Sequence, residues 1–216
     1  MQIKDYIKDI QKKIKGEKTI DVGCLGSYTK SQLIRHNQYK QSTSELVGID
    51  YNIEFLNKAK SEGHKNLFYC DITNLHDVKY ILEIFGTFQH VIATDVLEHI
   101  ENTASFLEGI NLLMREHASF YLTTPNVRSA HWISMFLKKK SEKINDDHVC
   151  WFEESTLRAT LNRHNLVIES LNYCTDSTDK KAAKLLGLKF EEWMGRRMYA
   201  VIRRKSLNEK ISKDDS

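Results

Sequence analysis

Short apolar segments with β-strand character alternate with amphipathic helical segments through the first 125 residues. Parallel strands need long crossover connections, and these are usually helices. The alternation therefore predicts an α/β fold, with a parallel sheet, helices on both faces and right-handed crossovers. The chain has 216 residues, 41% of them hydrophobic, which is enough for one such domain. The predicted strands are Thr19–Val22, Glu45–Ile49, Asn66–Cys70, Phe88–Ala93 and Ala118–Thr123.

Acidic residues stand at the ends of the first three predicted strands. Asp21 lies in the end of strand one, Asp50 follows strand two and Asp71 follows strand three. Gly23 and Gly26 form a turn after strand one, where the backbone can approach a ligand closely. In open α/β sheets, ligands bind outside the carboxyl ends of the strands. The three acids are therefore predicted to converge on one ligand-binding crevice.

The motifs at these strand ends resemble those of the class I S-adenosylmethionine-dependent methyltransferases, in the group that includes ubiquinone-biosynthesis O-methyltransferases. The residues that carry the resemblance are Asp21-Val-Gly23-Cys24, Val47-Gly-Ile-Asp50, Cys70-Asp71-Ile72, Asp95-Val-Leu-Glu98-His99-Ile100, Thr123-Thr-Pro125-Asn126 and Asp147-His148-Val149-Cys150-Trp151-Phe152. The resemblance implies a seven-stranded Rossmann-like sheet of order 3-2-1-4-5-7-6. Its last strand, Met198–Arg204, would run antiparallel in a hairpin with Leu166–Tyr173.

The glycine turn departs from the family pattern, which usually reads Asp-x-Gly-x-Gly-x-Gly. Leu25 and Ser27 occupy the second and third glycine positions, and Gly26 lies between them. Gly23, which sits nearest the cofactor in the family, is retained. The substituted turn is expected to hold the methionine half of the cofactor differently.

The resemblance also implies S-adenosyl-L-methionine as cofactor and assigns residues to it. Asp50 would bind the ribose hydroxyls, with Tyr51 beside the adenine, and Asp71 and Ile72 would hold the adenine. The residues assigned to the methionine end and its turn are Asp21, Gly23, Cys24, Gly26, Thr94 and Asp95.

Methyl transfer from a sulfonium mainly needs positioning and a desolvated site, but a hydroxyl acceptor must also lose a proton. The resemblance places His99 and His148 on the acceptor side, as candidate bases or acceptor-binding residues. Asp95, Glu98 and His99 share one face if their segment is helical, and with His148 they form a mixed oxygen and nitrogen set suited to a divalent metal. A similar set binds metal in small-RNA 3′-end 2′-O-methyltransferases. The sequence predicts no metal here, and this set is the alternative.

The sequence also predicts how the chain is divided into an N-terminal helix, a domain and a tail. Residues 1–17 are predicted to form an N-terminal helix, 18–205 the methyltransferase domain, and 206–216 a disordered tail. Residues 127–147 are predicted to be an insertion on the acceptor side. In it Trp132, Met135 and Phe136 lie at helical spacing, as a lid, a dimer contact or plain core. The predicted acceptor is a small molecule or a sugar.

Composition limits the remaining possibilities. A net charge of +3 and scattered basic residues disfavour a nucleic-acid partner. The four cysteines form no Cys-x-x-Cys, which favours the reducing cytoplasm. No apolar run reaches the roughly 18 residues of a membrane span, and we expect no signal peptide. The oligomeric state stays open, a homodimer included.

Three other function classes compete with this interpretation. Two remain as alternatives: an RNA 2′-O-methyltransferase with a divalent metal, and a cofactor-binding module without catalysis. The third, an NAD(P)-dependent oxidoreductase, would need a Gly-x-Gly-x-x-Gly turn, which the sequence lacks.

Overall fold

The structure of the protein is a computed structural model. It describes residues 5–26, 30–137, 147–175, 181, 184, 187, 195–206 and 209. The basic run Lys138–Lys140, most of the predicted helix Asp179–Gly195 and most of the predicted tail 206–216 lie outside the described residues.

Seven strands and seven α-helices make up the described part of the chain, together with one short 3₁₀ turn, Leu97–His99. The strands are β1 (Lys18–Val22), β2 (Glu45–Asp50), β3 (Leu67–Tyr69), β4 (Phe88–Thr94), β5 (Met114–Pro125), β6 (Leu166–Cys174) and β7 (Arg197–Arg204). The helices are α1 (Asp5–Lys13), α2 (Lys30–Lys40), α3 (Ile53–Ser61), α4 (Leu75–Phe85), α5 (Thr103–Leu113), α6 (Ala130–Leu137) and α7 (Glu154–Arg163).

The strands form one seven-stranded sheet of order β3-β2-β1-β4-β5-β7-β6, which confirms the predicted fold class. β1 to β5 pair in parallel, whereas β7 is antiparallel to both β5 and β6. The order reverses at β1, whose neighbours are β2 and β4, so a crevice opens there at the carboxyl ends of the strands.

Asparagine caps start three of the helices that lead away from this edge. The side chain of Asn52 accepts a hydrogen bond from Phe55 N, 3.0 Å away. Asn74 and Asn102 cap α4 and α5 in the same way. Such caps satisfy backbone donors that a helix N-terminus leaves unpaired, each worth about 1 kcal/mol.

The largest difference from the predicted elements is at the start of β5. The sequence predicts that the preceding helix runs to Glu116, but α5 ends at Leu113 and β5 begins at Met114, which pairs with Phe88. Residues 115–117 are exposed and polar, so a further helical turn there would bury no apolar surface. Strand pairing therefore wins over helical periodicity at this junction.

Two cores enclose the sheet, one on each face. The larger joins α4, α5 and α7 to β1, β4, β5 and β7. The smaller packs Tyr6, Ile10 and Ile14 of the N-terminal segment against Tyr39 of α2 and Tyr199 of β7. α1 is thus a core helix. No helix in the described ranges is both long and apolar enough to cross a bilayer.

Candidate functional site

A cavity of about 1120 Å³ opens at the carboxyl ends of the strands. One half is lined by the ends of β1, β2 and β3 with the residues that follow them. The other half is lined by the turn after β4, by α6 and by the start of β7. We call these the donor half and the acceptor half. The lining includes nine of the twelve predicted site residues: Gly23, Gly26, Asp50, Tyr51, Asp71, Ile72, Asp95, His99 and His148.

The turn after β1 brings the backbone close to the cavity. Gly23 and Gly26 have φ angles of 66° and 51°, which favour glycine. A Cβ on Gly23 would lie 2.6 Å from Cγ2 of Val96, so a side chain there would force Val96 to shift. Leu25, the departure from the family turn, is 1% exposed and packs beside Leu56 and Leu67. Leu25, which stands where the family pattern has a glycine, thus fills a small core under the turn, and its side chain does not line the cavity.

Asp50 ties the end of β2 to this turn. Its Oδ2 accepts hydrogen bonds from the backbone N–H groups of Leu25 and Gly26 at 3.0 and 3.2 Å, and its Oδ1 accepts one from Asn52 at 3.0 Å. Burial raises the pKa of Asp50, against the effect of these three donors. Each carboxylate oxygen has about two lone-pair sites, so Oδ2 is fully used and Oδ1 can still accept from a ligand.

The acid after β3 faces the same half. Asp71 and Ile72 line the cavity, and Oδ1 of Asp71 accepts hydrogen bonds from the backbone N–H and hydroxyl of Thr73 at 2.9 and 2.7 Å. Tyr51 is 72% exposed at the rim. The two strand-end acids therefore share one cleft, as the sequence predicts, with an aromatic ring at its edge.

Three residues assigned to the methionine end do not line the cavity. Oδ2 of Asp21 lies 2.8 Å from Nδ1 of His36, and both side chains are buried. Cys24 is 4% exposed, and burial raises the pKa of its thiol, so it packs rather than reacts. Thr94 is buried, and its carbonyl accepts a hydrogen bond from Arg35. All three lie behind the lining.

Asp95 stands between two arginines. Its Oδ2 lies 3.2 Å from Nη1 of Arg35, and its Oδ1 lies 2.7 Å from Nε of Arg197. Burial opposes ionisation, but Arg197 and Arg35 hold the pKa of Asp95 below its ordinary value. Asp95 also has a φ of 58°, unusual for a residue with a side chain. It is therefore committed to ion pairs, and it is not among the residues whose ligand atoms converge.

Glu98, His99 and His148, the acceptor-side cluster, bring one ligand atom each to within 4.8 Å of one another. Glu98 is 1% exposed and lines the cavity, and its Oε2 has no hydrogen-bond partner among the described residues. Burial first, and then the charge of Asp95, raise the pKa of Glu98 to about 8. Nδ1 of His148 is likewise buried without a described partner. Three of the four residues in the alternative metal set thus meet, without Asp95.

The two imidazoles differ in their surroundings. Nδ1 of His99 lies 3.0 Å from the carbonyl oxygen of Asp147, and as the donor to that carbonyl it leaves Nε2 as an acceptor. Burial and the neighbouring His99 lower the pKa of His148. The rings lie 4.8 Å apart between centroids. His148 is therefore mainly neutral near pH 7 and can accept a proton or ligate a metal.

Backbone bonds hold the loop that carries His148. The carbonyl of Glu98 accepts hydrogen bonds from Val149 N and Cys150 N at 2.9 and 3.3 Å. Glu98 therefore supplies a side chain to the cluster and also positions the loop opposite. More than 50 positions in the sequence separate Glu98 from the residues it contacts, so sequence motifs give no sign of this contact.

Aromatic rings form the outer wall of the acceptor half. Trp132 of α6 lines the cavity and meets Trp151 edge-to-face at 5.3 Å between centroids. Trp151 in turn lies 5.9 Å from the ring of His148. Nε1 of Trp132 is buried without a described partner. Of the proposed lid residues, Trp132 thus faces the cavity, whereas Phe136 is 50% exposed.

Arg196 and Arg197 also line the cavity, although no sequence motif points to them. Asn126 fixes their backbone: its N–H bonds to the carbonyl of Arg196, and its side-chain amide bonds to the carbonyl of Gly195, both at 2.8 Å. The Thr-Pro-Asn motif is the one sequence signal near this contact. It marks the end of β5, but it does not indicate which distant segment Asn126 binds.

The fold, the cleft with its strand-end acids and the glycine turn define the class of S-adenosylmethionine-dependent methyltransferases. A family model described as a methyltransferase domain matches residues 2–171. The chain belongs to this methyltransferase-domain family.

Individual relatives agree with this assignment. A ubiquinone biosynthesis O-methyltransferase of Colwellia psychrerythraea is 25% identical over 152 residues, which are 68% of this chain and 59% of that protein. The chain therefore spans less than two thirds of this relative's length.

Solved structures show the same fold. A SAM-dependent methyltransferase from Archaeoglobus fulgidus has a TM-score of 0.65 at 17% identity, over 94% of this chain and 93% of that one. The magnesium protoporphyrin IX methyltransferase of Synechocystis PCC 6803, solved with bound SAH, has a TM-score of 0.59 at 14% identity, over 94% of this chain and 83% of that one.

Proposed function

We propose that the protein methylates a hydroxyl group of a small-molecule or glycan acceptor. The observation that carries this proposal is the acceptor-side cluster, which faces the cavity next to the donor half with two polar atoms that lack a partner in the described part of the chain. A hydroxyl acceptor must lose a proton, and the cluster offers groups that can take it. The similar protein from Colwellia psychrerythraea is named as an O-methyltransferase, which supports the same reaction.

The donor half has the groups that an adenosine needs. We propose that Asp50 accepts bonds from the ribose hydroxyls and Asp71 from the adenine amino group, with Tyr51 beside the ring. Gly23 lines the cavity without a side chain, so its backbone can approach the ligand closely. Asp21, Cys24 and Thr94 would act from behind the lining, by supporting the turn and the end of β4.

S-adenosylmethionine, when bound, supplies an electrophilic methyl group on its sulfonium. The residues of the acceptor half then need only orient the acceptor oxygen and manage its proton. We propose that His148 takes this proton, because its lowered pKa keeps the imidazole neutral near pH 7. Glu98 and His99 would orient the hydroxyl, and Trp132 would exclude water from this side.

A divalent metal also fits the acceptor-side cluster. Two imidazoles and one carboxylate are a common ligand set, and the bond from His99 Nδ1 to a backbone carbonyl is typical of metal-binding histidines. An ion held by Glu98, His99 and His148 would acidify a bound hydroxyl. Asp95 would not join, because its carboxylate is paired with Arg35 and Arg197.

Calorimetry and a methylation assay test the proposal in two stages. The protein is expected to bind S-adenosylhomocysteine and not NADH. Panels of phenols, sugars and amines are then incubated with S-adenosylmethionine, and products are identified by mass spectrometry. Methylation confined to amines or to carbon would contradict O-methylation but leave the class intact. Loss of turnover in EDTA, restored by a divalent ion, would favour the metal-bound form of the cluster.

A further inference from the structure

Among the described residues, positive charge exceeds negative charge in the ion-pair cluster where the two halves of the cavity meet. Arg35 and Arg197 both pair with Asp95, so two guanidinium groups share one carboxylate. The side chains of Arg35 and Arg197 are only 14% and 28% exposed. A charge removed from water without a partner costs several kcal/mol, so this node favours an anionic ligand.

Arg35 does not face such a ligand, because its contacts lie behind the cavity lining. Its Nη1 contacts Asp95 and the hydroxyl of Tyr6, 3.2 and 3.4 Å away, and its Nη2 bonds to the carbonyl of Thr94 at 3.4 Å. It is absent from the cavity lining. Arg35 therefore holds Asp95 from behind and is a positioning residue.

Arg197 is different because it lines the cavity. Its Nε lies 2.7 Å from Asp95 Oδ1, an ion pair at an angle that does not make a hydrogen bond. Its two terminal nitrogens have no hydrogen-bond partner among the described residues. A guanidinium with free terminal nitrogens is suited to binding a carboxylate through two parallel bonds.

The position of Arg197 points to a ligand group near the glycine turn. Arg197 lies beside Pro125 at the end of β5 and reaches across to Asp95 at the end of β4. The next residue, Val96, packs against Gly23. The guanidinium thus contacts Asp95, and the next residue, Val96, separates it from the glycine turn. The methionine half of the cofactor, which we place at this turn, ends in a carboxylate.

We propose that Arg197 binds the α-carboxylate of the methionine moiety of S-adenosylmethionine, while Arg35 and Asp95 hold its guanidinium in place. The inference rests on cofactor binding in the donor half. An acceptor that carries a carboxylate is the other source of the same chemistry, and the experiment below separates the two.

The test compares two nucleosides that differ in this group. S-adenosylhomocysteine has the amino-acid carboxylate, whereas 5′-methylthioadenosine lacks the amino-acid portion. Calorimetry of the whole chain is expected to show that Arg197→Met weakens S-adenosylhomocysteine about 10- to 100-fold, the loss expected for charge-assisted bonds. Binding of 5′-methylthioadenosine should stay within about twofold. Arg197→Lys should give an intermediate loss, because an ammonium does not form the bidentate pair.

Arg203→Met is the matched control, since Arg203 lies on the same strand but pairs with Glu169 and Glu209 away from the cavity. It should change neither affinity. Equal losses of both nucleosides in both Arg197 variants would show a structural effect and overturn the proposal.

Unchanged S-adenosylhomocysteine binding would also overturn it, and a raised KM confined to acidic acceptors would then assign Arg197 to the acceptor. A wild-type protein that binds neither nucleoside would instead refute the cofactor site itself.

Discussion

Replacing Glu98 with glutamine should change how stability depends on pH. Glu98 is 1% exposed, and burial with the nearby charge of Asp95 raises its pKa to about 8. In the unfolded chain a glutamate titrates near 4.3. Between these values the folded state keeps a proton that the unfolded state has lost, so the free energy of unfolding falls as pH rises.

The magnitude follows from the two pKa values. At pH values between them, the free energy of unfolding falls by about 1.4 kcal/mol for each unit that the pH rises. From pH 5 to pH 8, Glu98 should therefore lower the free energy of unfolding by about 3 to 4 kcal/mol in metal-free protein. Glu98→Gln keeps the backbone bonds to Val149 and Cys150 but removes the titrating group, so the variant should lose this part of the decline.

Urea denaturation at half-unit pH steps in EDTA measures the effect as wild type minus variant, which cancels the other titrating groups. Glu101→Gln is the matched control, because Glu101 is exposed at the cavity rim and is not desolvated. A flat difference curve for Glu98→Gln, or the same curve for Glu101→Gln, would show that water or a counter-charge reaches Glu98. The account of the acceptor-side cluster would then be wrong.

Three further substitutions test the cavity. Asp50→Ala should weaken S-adenosylhomocysteine by about 2–3 kcal/mol in calorimetry, because it removes the acceptor for the ribose hydroxyls and the bonds to the glycine turn; an unchanged affinity would contradict the role of Asp50. His148→Ala should lower kcat at least tenfold while S-adenosylhomocysteine affinity stays normal, and weaker cofactor binding would place His148 in the donor half instead. Gly23→Ala should destabilise the fold by about 2–4 kcal/mol in urea, from a left-handed φ and a clash with Val96. Gly16→Ala, at a φ of 75° in open space, should cost only about 1–2 kcal/mol, and equal losses would mean that the clash is relieved.

The fold could be predicted because its signals are local. Each parallel strand is a short apolar run followed by a helix, and the acids that close the strands mark the edge where ligands bind. The start of β5 could not be read in this way. Residues near Met114 continue a helical pattern, and only pairing with Phe88, far back in the chain, makes them a strand.

The donor half could also be predicted from the sequence, because Gly23, Asp50 and Asp71 lie at the ends of their strands. The acceptor half depends on contacts between distant segments. Glu98 meets the loop of His148 through backbone bonds, and Arg197 reaches the cavity because Asn126 fixes the residues before it. Residue types alone do not encode such contacts.

Asp95 shows how such a contact changes the chemistry of a motif. In the sequence, Asp95, Glu98 and His99 look like one ligand set, because their spacing fits one helical face. In the structure, the segment after Asp95 is a 3₁₀ turn, and Asp95 itself takes a positive φ that directs it toward Arg35 and Arg197. The two arginines keep Asp95 ionised, and its fixed negative charge helps to keep Glu98 protonated. Asp95 is thus ion-paired with two arginines where the two halves of the cavity meet, whereas Glu98 belongs to the acceptor half as a buried carboxyl group. Arg197, at the start of β7, therefore draws Asp95 away from Glu98 and His99, although these three residues lie about 100 positions before it in the sequence.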